Sequence, residues 1–499
     1  MDPAVIQQTL QMLKQAQANP LRKDATTQGF STGTGLQFYS LEPAAKLLYP
    51  VLTPLRNLIP RKGRINAGAG TAEHWKAITA VNPGNYFAGV SEGNRGAVID
   101  VTEKDYTRAY VGIGLENSVT YEAEYAAEGF DDERALASLS LLQALMIAEE
   151  KMILTGNGSY ALGTAPTPTL AQVTTAVTGI AAGTTNKVAV VALTEAGYQR
   201  ATATGVVPTF TKTNADGSTD TGIAGGVSAI SALSAAATTD SSHTQLKASC
   251  AAVQGAFGYG WFFTEDGTLA HAYFVGTTRV NTITLTTDPT NTNQAGTATG
   301  LSTDNSACGL AFDGLLTQAL QGGGYFKSLD AATMTADGEG GIVEWNTALK
   351  YFWDNFRISP SRIRVGSQVL KDANTKILSG TTNPVYRIQL EQGMAGQANV
   401  LAGSMVRSYL NPFALGGAKE LPIDLHPNMP DGAVFFDLET VPYPNANVPM
   451  ARRIRTRQDY YQADWPRVKR QYQFGVYADL MLQVYVPFGM GVITNILPG

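Results

Sequence analysis

Cysteine is almost absent from this 499-residue chain. Only Cys250 and Cys308 occur, which excludes a disulfide scaffold or a structural zinc site. Charge is also scarce, at 15% Asp, Glu, Lys and Arg against about 25% in an ordinary soluble protein. Much of the surface is then polar and neutral, or covered by other subunits. No apolar run approaches the ~18 residues of a membrane-spanning helix. The start, MDPAVIQQTLQMLK, has neither a basic stretch nor an apolar core, so no secretory signal is expected. The four histidines, His74, His243, His271 and His426, lack the spacing of a zinc hydrolase. No nucleophile elbow and no phosphate-binding loop is present.

Hydrophobic residues make up 44%, enough for real cores, and the length suggests about three domains. Charge is segregated. Residues 1–64 and 450–470 carry +5 each on a chain of net -5, leaving -15 on the remainder. Two basic segments on an acidic body point to polyanion contact or to salt bridges between subunits or domains.

Residues 161–300 stand apart, with 31 Thr, five Lys or Arg and seven Asp or Glu. β-Branched Thr favours strands, and Asp266-Gly267 between aromatic-rich runs is a hairpin signal. A separate β-sandwich with Trp261 at its centre is expected. Tyr259, Phe262 and Phe263 suit its core or a sugar-binding face.

Outside this segment the pattern alternates. Residues 3–18 read as a short helix and 20–65 as an extended arm. Residues 66–125 read as two strand-like runs with a Gly/Asn-rich excursion between them. A helix of about 25 residues follows, with acids at Asp131, Asp132 and Glu133, and Gly156 at its end. Its leucines cover more than one stripe, which predicts packing on several sides. Ile342, Trp345, Leu349, Phe352 and Phe356 step by three and four, an amphipathic helix. Arg362–Val365 reads as a strand, Ser367 opens a helix to about Leu378, and the end of the chain is strand-rich.

Chemical constellations are thin. Gly156-Asn157-Gly158-Ser159-Tyr160-Ala161 follows a helix rather than a strand, which favours a helix stop over a nucleotide site. Glu149-Glu150 and Asp131-Asp132-Glu133 read as solvated or interface charge rather than a catalytic pair. Asp337 and Glu339 read as a Gly-rich turn rather than a calcium loop. No cofactor and no metal site is expected.

The order of pieces resembles the major capsid protein of tailed double-stranded DNA bacteriophages, the Hong Kong 97-type fold. His74-Trp75 through Ser91-Glu92-Gly93 to Val111 resembles its extended loop. Ala135 to Gly158 resembles the spine helix, and Arg362–Val365 with its following helix the axial domain. Tyr477 to Ile493 resembles the returning peripheral strands. The resemblance implies an α+β fold: N-terminal arm 1–65, extended loop 66–110, and peripheral domain with spine helix 111–160. An inserted, immunoglobulin-like β-sandwich would span 161–300, the axial domain 301–440 and returning peripheral strands 441–499. It implies a non-enzymatic shell subunit that self-assembles as pentamers and hexamers around double-stranded DNA. Expected partners are a portal, scaffolding or decoration proteins, and no membrane. The expected location is the virion, after assembly in the host cytoplasm. Arg61, Lys62, Arg64, Trp75, Glu92, Arg452, Arg453 and Arg455 are the expected subunit or DNA contacts. Two other readings stay open: an encapsulin-like nanocompartment shell, and a polysaccharide-active enzyme with a β-sandwich module.

Overall fold

The computed structural model describes residues 48–63, 70–81, 88–128, 132–174, 179–182, 185–208, 211–214, 216–221, 225–378, 390–392, 398–400, 406–414 and 420–499. The expected helix over 3–18 and most of the arm lie outside these residues. The chain divides into two compact units, Met1–Pro50 with Val119–Leu136, and Val51–Ser118 with Ala137–Gly499.

In the first unit, helix α2 (Tyr121–Ala127) is capped by Thr120, whose hydroxyl accepts the Ala123 amide at 3.3 Å. Helix α3 (Glu133–Thr155) starts here under Asp132, which accepts the Arg134 and Ala135 amides, and then runs into the second unit. Its 23 residues make a rod of about 34 Å.

In the second unit, α3 is packed on more than one side toward its end, as its leucines suggest. Leu141, Leu145, Glu149 and Ile153, four residues apart, are buried, and so are Glu150 and Leu154 on the opposite side, whereas Leu139 is exposed. The helix stops before Gly156 as its sequence suggests, but for a different reason. Gly156 is not left-handed. A Cβ there would sit 2.4 Å from the Phe312 carbonyl, so the glycine permits close backbone packing.

The segment before residue 65, expected as an extended arm, holds a short helix α1 (Pro54–Leu58) and strand β1 (Arg61–Gly63). β1 pairs in parallel with β16 (Arg452–Asp464), at the edge of a sheet ordered β1-β16-β17-β4. β17 is Gln471–Val484 and β4 is Val111–Thr120. Strands β2 (Ala72–Val81) and β3 (Val101–Ala109) form a separate two-stranded ribbon, as the extended hairpin requires.

A six-stranded mixed sheet is ordered β11-β18-β15-β12-β14-β13. These are Tyr325–Ser328, Gly491–Thr494, Val434–Asp437, Arg362–Val365, Glu420–Leu425 and Ser408–Leu410. Helix α6 (Val343–Phe356) lays Trp345, Leu349 and Phe352 on it, together with Ile342 just before the helix, all fully buried. Helix α7 (Ser367–Leu378) adds Val369, Ala373 and Ile377. The last strand, β18, lies between β11 and β15 here, instead of returning to the sheet of β16 and β17.

The inserted body contains two facing sheets. One holds β10 (Thr282–Leu285), β7 (Gln245–Ser249) and β5 (Thr169–Val173); the other holds β9 (Tyr273–Thr278), β8 (Gly258–Thr264), β6 (Thr185–Leu193) and residues 237–238. Between them Tyr259, Trp261 and Phe263 pack with Val188, Val190 and Leu246. The opposite faces of β6 and β8 carry Ala189, Val191 and Phe262 into a second core that includes Ala201 of helix α4 (Glu195–Thr204). This third layer departs from a two-layer immunoglobulin-like sandwich. Complete burial of Tyr259, Phe262 and Phe263 removes the sugar-binding reading.

One edge of β6 is sealed by a serine ladder. The Ser228, Ser231 and Ser234 hydroxyls accept the Ala192, Val190 and Val188 amides at 2.8–3.0 Å. Their own amides donate to the Ala192, Val190 and Val188 carbonyls. Each serine thus serves one β6 residue with both backbone and side chain, so a segment with a three-residue repeat completes a strand with a two-residue repeat. Entry and exit stems run side by side, with Leu162 N donating to Ser306 Oγ and Cys308 N to Asn157 O. Leu301 belongs to the inserted core, so that body extends past residue 300.

Candidate assembly interface

Part of the charge expected on the surface is buried, while Asp132 is exposed and Glu133 half-buried. Glu149 and Glu150 are fully buried, contrary to their reading as solvated or interface charge. Glu150 accepts the Leu55 and Arg56 amides at 2.9 and 2.7 Å, holding the start of α1. His426 Nε2 lies 2.8 Å from the same carboxylate, while His426 Nδ1 accepts the Asn428 amide. A ring nitrogen that accepts carries no proton, so Nε2–H is the donor to Glu150. Glu149 binds Arg61 at 2.5 Å, Arg56 at 3.3 Å and the Tyr460 hydroxyl. Arg56 and Arg61 each stack on the Tyr460 ring at 5.1 Å. Burial, then the Glu149 charge, pushes the Tyr460 phenol up to about 12. The helical spacing of Glu149 with Leu141, Leu145 and Ile153 was the sequence signal for its burial.

A second buried network joins the six-stranded sheet to β16. Asp437 accepts from Arg364 at 2.7 Å and from Arg452, with all three buried. Glu439 accepts from Arg364 at 3.0 Å and forms an ion pair with Arg362 at 2.9 Å. Burial raises the Asp437 pKa, but attraction to Arg452 and Arg364 overrides it and holds the carboxyl below its ordinary range.

The expected contact residues separate accordingly. Arg452 is only 1% exposed and bound to Asp437, while Arg455 is buried, reaching Gln483 and the Gly63 carbonyl. Arg453 bonds Gln483 and lies 4.7 Å over the Tyr485 ring. These three arginines have partners inside their own chain. Arg61 is bound to Glu149 and Asp459, whereas Lys62 is exposed beside it. Arg64 lies outside the described residues. Trp75 stacks on Tyr106 at 5.6 Å and meets Tyr485 edge-on, fastening the root of the β2–β3 ribbon. Glu92 is exposed in the excursion beyond the strands.

The ribbon is the one long element whose distal half lacks a packing partner among the described residues. Ile78, Val81 and Ile99 are 59–65% exposed and Val98 is 93% exposed. A two-stranded ribbon is marginal alone, and contiguous exposed aliphatic residues mark an interaction surface. No group of three or more histidine, cysteine, aspartate or glutamate side chains placed to hold a metal occurs among the described residues.

No family model matches the chain, and no curated protein matches it. Solved structures do. The capsid of Myoviridae Phage XM1 is 9% identical with a TM-score of 0.40, over 94% of this chain and 99% of that one. A capsid of an empty GTA particle is 8% identical at TM-score 0.38, over 93% and 97%. The holo-SrpI encapsulin of Synechococcus elongatus PCC 7942 is 6% identical at TM-score 0.38, over 91% and 92%. Such distant likeness carries no functional argument by itself, and function is read from the geometry of this chain.

Proposed function

We propose that this chain is a structural shell subunit, the major capsid protein of a tailed double-stranded DNA bacteriophage with the Hong Kong 97-type fold. The observation that carries the reading is the unpartnered β2–β3 ribbon with its exposed Ile78, Val81, Val98 and Ile99. Covering it by neighbouring copies would bury apolar area at about 25 cal/mol per Å². A heterologous contact repeated around a closed ring gives pentamers and hexamers. Lys62 and Glu92 are exposed and suit contacts between copies; the shell would enclose double-stranded DNA and meet a portal, with scaffolding or decoration proteins as further partners. It would assemble in the host cytoplasm and end in the virion.

Electron microscopy of the purified full chain tests this. Hollow shells or five- and six-membered capsomers are expected, and only monomers under every assembly condition would refute it. A packaged enzyme instead of nucleic acid would favour a nanocompartment shell.

A further inference from the structure

The insertion meets the six-stranded sheet through a narrow polar contact. Its two buried clusters, around Trp261 and around Phe262, have no residue in common with the cluster of the sheet and α6. Two open cavities flank the contact. One, of about 310 Å³, is lined by Met152 and Thr155 of α3 and by Thr194 and Gly226 of the insertion. The other, of about 710 Å³, is lined by Thr169 and Ser249 of the insertion and by Phe326 and Lys327 of β11. At the second cavity a chain of hydrogen bonds crosses from the insertion to the sheet. Asn281, 3% exposed and just before β10, donates its Nδ2 to the Cys250 carbonyl at 2.7 Å and to Asp330 Oδ1 at 3.2 Å. Asp330 follows β11, and the same oxygen accepts the Ser328 hydroxyl at 2.8 Å. Ser328 Oγ in turn accepts Nδ2 of Asn495, just past β18, at 2.9 Å. Asp330, Ala331 and Asn495 have left-handed φ of 49°, 62° and 56°, three of the four such non-glycine residues among the described residues, and Ala331 N donates to Asn495 O. Such backbone persists only where its surroundings hold it. Burial, then the Asp330 charge, pushes the Cys250 thiol up to about 12, so the carboxylate stands close to the insertion's core.

We propose that the Asn281–Asp330 contact is a latch that fixes the direction of the insertion on the sheet. With the latch open, the insertion stays folded and swings on its paired entry and exit stems. Domains that meet over a small polar interface move relative to one another by default, unlike those joined by a large hydrophobic one. Here a charge-assisted hydrogen bond stands where an apolar interface would otherwise hold the two bodies. A few atoms therefore decide between a fixed and a swinging insertion, a hinge-type transition. The left-handed turn at Asp330, tied to Asn495, presents the carboxylate to Asn281 from the sheet's side.

Alkylation of Cys250 by iodoacetamide in the full chain, followed by mass spectrometry, reads the latch. Cys250 is 7% exposed, bonded to Asn281 through its carbonyl, and lines the larger cavity. Asn281→Asp sets a second carboxylate against Asp330 and is expected to speed labelling more than about tenfold. Its added negative charge alone raises the thiol pKa and slows labelling, so opening and electrostatics act in opposite directions. Asn281→Ala, expected to speed labelling about tenfold, serves if the aspartate variant does not fold. Hydrogen exchange at the serine-ladder amides of Val188, Val190 and Ala192 is expected to stay as slow as in the wild type, because the insertion remains folded. Unchanged Cys250 labelling in a folded variant overturns the proposal. So does loss of serine-ladder protection alongside faster labelling, which would make Asn281 part of the insertion's own core instead of a latch.

Discussion

The inserted body and the surrounding sheets satisfy buried polar groups by different means. In the insertion, hydroxyls do most of it: Ser228, Ser231 and Ser234 serve the β6 edge, and Thr278 accepts Trp261 Nε1 at 2.8 Å. Arg279 with Glu195 is its exception. Around β15 and α3 the same need is met by ion pairs, with Asp437 between two arginines and Glu149 between two more. A hydroxyl satisfies a neighbouring amide at a small desolvation cost. A buried ion pair costs more to bury, yet its partners come from distant parts of the chain, so it fixes which segments meet.

Removing one partner tests this difference most severely in the charged region. Asp437→Asn leaves Arg364 and Arg452 buried without their shared anion and is expected to cost about 3–5 kcal/mol, read by urea denaturation. A smaller loss is expected in the insertion. Ser231→Ala orphans the buried Val190 amide, at about 1–3 kcal/mol. A cost for Ser231→Ala as large as that for Asp437→Asn would erase the distinction.

Acid should test the charged network as well. Asp437 and Asp459 are held below their ordinary pKa: burial opposes this, and Arg452 with Arg364, and Arg61, respectively, override it. A depressed carboxyl contributes stability above its unfolded pKa near 4 and loses it as pH falls through the folded value. Stability should therefore drop below about pH 4, and Asp437→Asn should flatten that limb in pH-dependent thermal melts. Ser231→Ala should leave the limb's shape unchanged. The smallest effect is expected at exposed Lys62, where Lys62→Gln should shift folding stability by no more than about 0.5 kcal/mol in the same urea assay.

Local signals found much of the fold. The stepped Ile342-Trp345-Leu349-Phe352 set is the buried face that meets the six-stranded sheet. Trp261 is in the core of the insertion, and β8 and β9 pair across the loop containing Asp266-Gly267. Helix α4 escaped notice because its short sequence has no strong apolar stripe and Gly197 lies within it. Gly197 is there because the Gly226 carbonyl would lie 2.3 Å from a Cβ, a contact invisible in the sequence. Within one basic stretch, Arg452 became core and Lys469 stayed exposed, although composition treated them alike.

The sequence by itself determined the long helix, the amphipathic α6, the β-rich insertion and the segregation of charge. Each follows from a period, a turn residue or a count within a few positions of the chain. Tertiary structure decided which charges are buried and where the last strand goes. Glu150 meets His426 across 276 residues, and Arg61 meets Asp459 across 398. β18 pairs with β11 although Ser328 and Gly491 are far apart in the chain. Whether a carboxylate is buried depends on the cations folding brings to it, and no local pattern specifies those partners.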